Sequence, residues 1–217
     1  MRIALIGGTG LIGALLADRL LGAGHEVHAL VRRPVERDAA GWNEHVAPAE
    51  RWAEIVAALA PDAAMSAIGT TMRQAGSKAA FRAVDHDAVT DFASAARRAG
   101  ARRMAIVSSV GADAASRNFY LRVKGEAEAA LRALGFERLD IMRPGLRRGP
   151  RDGPPRTGER LALLLSPVSD LILRGPLDRY AAIDAAVVAD AMVASLDQTG
   201  AGTFVHENRA IHRLAGR

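Results

Sequence analysis

Tyr120 and Lys124 lie four residues apart in Tyr120-Leu121-Arg122-Val123-Lys124, a spacing that puts both side chains on one face of a helix. An ammonium beside a phenol favours the phenolate, which makes Tyr120 a candidate proton donor to a carbonyl, or base toward an alcohol, near neutral pH. With two tyrosines (Tyr120, Tyr180) and two lysines (Lys78, Lys124) in the whole chain, this spacing has little room to arise by coincidence. The plainer alternative is a tyrosine at a helix start and a surface lysine. Eleven residues before Tyr120, the apolar run ending at Val107 delivers Ser108 and Ser109, and a hydroxyl there can donate to a developing alkoxide. Ser109 is the better candidate and Ser108 the second, although serine pairs also end strands as ordinary turn chemistry.

A second group of residues fits a dinucleotide. Gly7-Gly8-Thr9-Gly10-Leu11-Ile12-Gly13 follows a strand and opens a helix. The first glycine of such a motif permits a tight turn, the second lets backbone approach a pyrophosphate, and the third lets helix pack on strand, with the helix N-terminus facing the phosphates. Gly7, Thr9, Gly10, Leu11, Ile12 and Gly13 are therefore candidate cofactor contacts. The next strand ends Leu30-Val31-Arg32-Arg33-Pro34, with no carboxylate before Glu36. A carboxylate there would bind a ribose 2′-hydroxyl, whereas arginine accommodates a 2′-phosphate, so Arg32 and Arg33 favour NADP(H) over NAD(H). Solvated loop arginines are the alternative.

Strand-like and helix-like segments alternate, which predicts an α/β fold: a doubly wound parallel sheet with helices on both faces. Strands are expected over Arg2–Ile6, His25–Val31, Asp62–Ile68, Arg103–Val107, Arg138–Met142 and Thr203–His206, with a short one near Val46. Helices are expected over Leu11–Leu21, Arg51–Leu59, Ala79–Ala99, Asn118–Leu134 with Gly125 inside it, Glu159–Leu165, Asp184–Leu196 and at the end of the chain. The 217 residues read as one domain, in which 143–185 contribute a small cap on the substrate side. The Arg143–Arg160 stretch is rich in glycine, proline and arginine, as a solvated flap or a loop that meets an anionic substrate would be.

The balance of 49% hydrophobic and 24% charged residues excludes disorder and coiled coil, and the lack of cysteine excludes disulfide frameworks and thiolate chemistry. A net charge of +5, scattered arginines and 4% aromatics argue against a nucleic-acid partner. The six histidines form no metal pattern, and His86, His206 and His212 lack a carboxylate at ligand spacing. Glycines interrupt the apolar start and no A-x-A site precedes Asp18, while Leu161–Leu173 is too short and too interrupted to span a bilayer. A cytoplasmic protein without membrane partners is expected; monomer and homodimer stay open.

Together these motifs resemble the short-chain dehydrogenase/reductase superfamily, in its atypical and extended branches, over nearly the whole chain. The resemblance is carried by the glycine motif, Val107-Ser108-Ser109-Val110-Gly111, Tyr120-x-x-x-Lys124 and Arg143-Pro144-Gly145. Ile68-Gly69-Thr70-Thr71, Val84-Asp85-His86-Asp87, Tyr120 to Glu126 and Glu207 to His212 are similar to the Tat-interacting oxidoreductase family in particular. The resemblance implies an NADPH-binding Rossmann domain. In it Tyr120 is the acid/base, Lys124 acidifies it and binds the ribose, and Ser109 orients the carbonyl. It also implies that Gly69, Thr70, Pro144 and Gly145, with Ser108, border the cofactor. Where many relatives carry an acid after the third strand to hold adenine, this chain has Val46-Ala47-Pro48-Ala49, which leaves that contact unassigned.

The expected activity is NADPH-dependent reduction of a small carbonyl compound, or the reverse oxidation. The alternatives are an NADPH-binding regulator with little turnover, and a sugar-nucleotide epimerase or dehydratase, for which the stretch after the sixth strand is short.

Overall fold

Continuous apolar runs bounded by turn residues become the buried strands of one parallel sheet. The computed structural model describes residues 1–145, 147–148 and 179–217. Strands β1 (Arg2–Ile6), β2 (Glu26–Val31), β3 (Trp42–Val46), β4 (Ala63–Ser66), β5 (Arg103–Val107), β6 (Arg138–Met142) and β9 (Gly202–His206) pair in the order β3-β2-β1-β4-β5-β6-β9, every pair parallel. The order reverses at β1, which lies between β2 and β4. A crevice past the carboxyl ends of β1 and β4 is the place where open sheets of this kind receive ligands.

Alternation along the strands divides the core into two layers. Ile3, Leu5, Ala63, Met65, Ala105 and Val107 pack with residues of α1 (Leu11–Gly22), α7 (Ala185–Ala194) and α8 (Asn208–Leu214). Ala4, Ile6, Ala64, Met104, Ile106 and Ile141 pack with residues of α2 (Trp52–Leu59), α5 (Ala88–Arg98) and α6 (Phe119–Ala133). Each buried Ile, Leu, Val or Met among them stabilises the fold by roughly 1.5–3 kcal/mol on burial.

Several elements differ from expectation. The helix expected over Ala79–Ala99 is α4 (Lys78–Arg82), a π-helical turn at Ala83–Asp87, and α5. The π-turn leaves the apolar stripe continuous, which is why periodicity did not reveal it. A short helix, α3 (Met72–Ala75), capped by the Thr71 hydroxyl, stands where none was expected. β4 ends at Ser66, so Ala67, Ile68 and Gly69 lie beyond it. β2 starts at Glu26 and α2 at Trp52, after a 3₁₀ turn at Ala49–Arg51. Two-residue strands β7 (Arg147–Arg148) and β8 (Ile183–Asp184) pair apart from the main sheet. Of the cap expected at 143–185, residues 146 and 149–178 lie outside the described residues, as does the helix expected at Glu159–Leu165.

Gly125, in the middle of α6, is a packing requirement. A Cβ there would lie 2.2 Å from the backbone of Asp113 and Ala114, so α6 rests directly on that loop. Gly22, the last residue of α1, faces open space. Gly125→Ala is expected to lose about 2 kcal/mol or more in chemical denaturation, and Gly22→Ala to gain about 0.5 kcal/mol; equal effects would contradict the close approach.

Candidate active site

The turn after β1 is built from main chain. Gly7 has φ +82°, and a Cβ on it would lie 2.4 Å from the Ile68 nitrogen. A Cβ on Gly13 would lie 1.9 Å from the Gly7 oxygen, which shows how closely α1 packs on the turn. The Gly10 N–H donates to that oxygen at 3.0 Å, and Gly10 takes the N-cap position of α1 with no side-chain cap and no acid in the first turn. The first-turn N–H groups, at Leu11, Ile12 and Gly13, are thus presented to an anion in the way a dinucleotide pyrophosphate requires. Leu11 is exposed, whereas the Ile12 side chain belongs to the core, so Ile12 offers backbone alone.

Thr9, Arg32, Arg33, Pro34 and Val35 line a cavity of about 540 Å³ beside this turn. Both arginines are exposed and, among the described residues, neither has a hydrogen bond or ion pair. Their loop is held by Glu44, whose carboxylate accepts the Val35 N–H at 3.0 and 3.1 Å, and by Arg37 paired with Asp18 at 2.9 Å. Arg32 also borders a second cavity of about 880 Å³, whose lining includes Ala47, Pro48, Ala49, Ile68, Thr70 and Val84. Its lining mixes apolar side chains with Arg32, Glu50, Thr70 and Gln74, so it can take a heterocycle together with polar substituents. Buried Trp52 fixes one wall by donating from Nε1 to the Ala47 oxygen at 3.1 Å. Glu50 stands at the rim, so an acid does follow β3, one residue beyond the segment inspected in the sequence.

Tyr120 occupies the first turn of α6, which Asn118 caps by accepting the Leu121 N–H at 3.3 Å. The phenol ring is half-buried with its centroid 5.5 Å from that of Phe81, and among the described residues its hydroxyl has no hydrogen-bond partner. Lys124, one turn on, is buried. Its Nζ lies 2.7 Å from Oδ1 of Asp85, a wholly buried carboxylate of the π-turn. Oδ2 of Asp85 accepts the Thr70 N–H at 2.9 Å. A Cβ on exposed Gly69 would lie 3.5 Å from Oδ1 and 3.8 Å from Nζ, so the ion pair sits directly beneath the part of the cavity that Gly69 lines. Lys124, expected to acidify Tyr120 and to bind the ribose, also forms an ion pair with Asp85 that its spacing from Tyr120 does not show. The sequence held one sign of this, since Asp85 stands four residues from both Phe81 and Val89, on the apolar stripe of the helix.

Ser109 ends the turn after β5 half-buried, its hydroxyl 3.4 Å from the Val110 oxygen. Ser108 faces the other way. It is 5% exposed and donates to Glu128 at 2.6 Å; Glu128 is fully buried and takes the Arg143 guanidinium at 2.9 and 2.6 Å. Hydrogen bonding to Glu128 raises the Arg143 pKa above the ordinary guanidinium value. Ser108 as second donor or cofactor contact is therefore corrected, and Arg143 is locked rather than free to meet an anion. Arg147 and Arg148 are described in backbone only, and Arg151, Arg156 and Arg160 lie outside the described residues. The Pro144 oxygen accepts the Val110 N–H at 3.2 Å, and Gly145 packs so tightly on the Ala181 oxygen that a Cβ would approach to 2.5 Å.

His86 and His206 do have carboxylate partners, Asp87 at 2.7 Å and Asp140 at 2.8 Å, contrary to expectation. Asp140 reaches His206 across the sheet, and sequence spacing does not show such a contact. Among the described residues no group of three potential ligands forms a metal site.

Residues 3–167 match the NAD-dependent epimerase/dehydratase family. A mitochondrial protein named FMP52 of Coccidioides immitis is 32% identical over 99% of this chain and 93% of its own length. The mitochondrial fmp52 protein of Aspergillus fumigatus is 36% identical over 88% of this chain and 85% of its own. Among solved structures, UDP-glucose 4-epimerase of Thermotoga maritima with UDP-glucose superposes with a TM-score of 0.72 at 16% identity, covering 96% of this chain and 77% of that one. The human epimerase family protein SDR39U1 with NADPH gives a TM-score of 0.64 at 20% identity, covering 95% and 74%.

The cytoplasmic location expected from the sequence is overturned by these relatives, which are mitochondrial proteins by name in several fungi. Weighing a secretory leader and a membrane span addresses two routes of export, whereas import into mitochondria is read from basic amphipathic segments. Among the described residues, no helix is long and apolar enough to cross a membrane.

Ser108→Ala is expected to lose about 2 kcal/mol of stability, as a buried hydroxyl bonded to a charged carboxylate does, while dinucleotide affinity stays at the parent value. A loss of affinity without a loss of stability would return Ser108 to the cofactor site.

Proposed function

The chain belongs to the NAD-dependent epimerase/dehydratase family, and from that premise we propose that it is an NADPH-dependent reductase of small carbonyl compounds. One observation carries the proposal: Tyr120 presents an unpartnered hydroxyl one helical turn from a buried Lys124, at the carboxyl edge of the sheet that also holds the glycine turn. The fit of a dinucleotide is supported by the main-chain cradle at Gly7, the uncapped N-terminus of α1 and the cavity beside Ile68.

When bound, the reduced nicotinamide supplies a hydride to the carbonyl carbon. Tyr120 gives its phenolic proton to the carbonyl oxygen as charge develops there, and Ser109 donates a hydrogen bond to the same oxygen. Lys124 balances the charge left on the phenol and stands near enough to Gly69 to reach a ribose in the cleft. Gly69 and Thr70, which line the larger cavity, would border the nicotinamide, as would Pro144 and Gly145 beside the turn that carries Ser109. Arg32 and Arg33, unpaired beside Thr9, receive the 2′-phosphate that distinguishes NADPH from NADH.

In a panel of aldehydes, ketones and quinones, the parent protein is expected to oxidise NADPH. Tyr120→Phe should lower the rate on the order of 10³-fold while cofactor binding, followed by nicotinamide fluorescence, persists. Binding without turnover across the panel would overturn the reductase and leave a dinucleotide-binding regulator.

Replacing Arg32 and Arg33 together by alanine is expected to weaken NADPH about tenfold or more and NADH little, since charge-assisted hydrogen bonds to the phosphate are lost. Equal NADPH and NADH affinities in the parent would refute the 2′-phosphate assignment.

A further inference from the structure

We propose that Glu44 is a positioning residue for coenzyme choice: through the Val35 N–H it holds the loop between β2 and β3 in the shape that presents Arg32 and Arg33 to a 2′-phosphate. The inference rests on the reading of those two arginines as the phosphate contacts, and it adds the group that keeps them in place.

The loop has almost nothing else to define it. Among the described residues, the main chain of residues 33–38 makes no hydrogen bond to other main chain, and its single bonded donor is the Val35 N–H. Both oxygens of the Glu44 carboxylate accept it, at 3.0 and 3.1 Å. The next residue, Glu36, has φ +52° and is one of two non-glycine residues with positive φ among those described. A side chain in that conformation is strained, and it persists only where the surroundings fix the backbone. Here the fixed points flank it. Val35 is held before it, and Arg37 after it lies 2.9 Å from Asp18 of α1 and 4.9 Å from the centroid of the Trp42 ring. Val35 itself lines the cavity with Thr9, Arg32 and Arg33, so the Glu44 bond fastens the wall of that cavity.

Glu44 stands on a firm support. It is half-buried in β3, in register with Ala29 of β2. Trp42, two residues earlier on the same face of the strand, donates from Nε1 to Oε2 of Glu44 at 3.5 Å. The far edge of that indole lies 3.5 Å from where a Cβ on Gly8 would stand. One side chain therefore touches both the glycine turn and the anchor of the arginine loop, which sets the distance between the two.

The charge is placed to the same end. A carboxylate free to pair with Arg32 or Arg33 would neutralise them. The Glu44 oxygens are instead occupied by N–H groups, and among the described residues neither arginine has an ion pair. A phosphate gains most from guanidinium groups that are already gathered, because ordering a loose loop on binding subtracts from affinity. A 2′-hydroxyl draws little from them, so the anchor matters to NADPH and hardly to NADH.

Binding of NADPH and of NADH, each followed by nicotinamide fluorescence, tests this together with hydrogen exchange of the Val35 amide in the ligand-free protein. Glu44→Ala is expected to speed that exchange and to weaken NADPH about tenfold but NADH less than about threefold. Glu44→Gln keeps a carbonyl oxygen for the Val35 N–H and should restore most of the NADPH affinity. In an Arg32→Ala, Arg33→Ala background, Glu44→Ala should no longer change the ratio of the two affinities. Glu44→Thr, β-branched and suited to the edge strand β3, carries the same expectation as alanine should that variant not fold. Equal weakening of both coenzymes would overturn the proposal, since a general loss of structure does the same. Unchanged Val35 exchange would also overturn it. Equal NADPH and NADH affinities in the parent would refute the arginine reading and this proposal with it, whereas a preference that survives Glu44→Ala would refute this proposal alone.

Discussion

No side chain fits between the ends of β1 and β4. The main chain of Gly7 runs against that of Ala67 and Ile68, and Gly13 runs against Gly7 in turn, so the floor of the crevice is peptide groups alone. A methyl group at either glycine would push the strand ends apart and tilt the start of α1. Because all seven strands of the main sheet are parallel, the same edge that this contact closes also carries the turns after β4, β5 and β6. Gly69 and Thr70, Ser109, and Pro144 with Gly145 are thereby brought to one rim from segments far apart in the chain.

Much of this scaffold was legible in the sequence because it depends on local patterns. Buried parallel strands read as mainly apolar runs, and β1 and β5 lie where such runs stand, while in β6 Asp140 interrupts Leu139, Ile141 and Met142. The glycine motif and the Tyr120–Lys124 spacing were legible for the same reason: each is contained within a single turn or helix. What escaped notice is non-local. Glu128 gathers Ser108 from β5's end and Arg143 from β6's end, and Asp85 gathers Thr70 and Lys124, contacts that exist only once the sheet has aligned its edges. The π-turn escaped because one widened turn leaves an apolar stripe intact, and β4 was read too long because Ala67 and Ile68 are as apolar as a strand though they bend toward Gly7. The cavity that Ala47, Pro48 and Ala49 line was not legible because its other lining residues, Ile68 to Thr70 and Val84 among them, come from distant segments.

Among the described residues three carboxylates are almost wholly buried, Asp85, Glu128 and Asp140, and their partners distinguish them. Asp140 is held by both arms of Arg138, at 2.7 and 2.9 Å, and by His206 of β9. Glu128 is held by both arms of Arg143 and by the Ser108 hydroxyl. A guanidinium does not give up its proton inside a protein, and its planar fork fixes the carboxylate in one geometry. These two clusters are permanent charges that fasten β6 to β9 and to α6. Asp85 differs on both counts. Its partner is an amine, a compact charge on a flexible stem whose protons exchange and can be aimed at more than one acceptor. It is also the only one of the three whose partner lies beneath an exposed glycine, Gly69, at the cavity wall. The two guanidinium pairs lie away from the cavity, and the amine pair is the one that borders it.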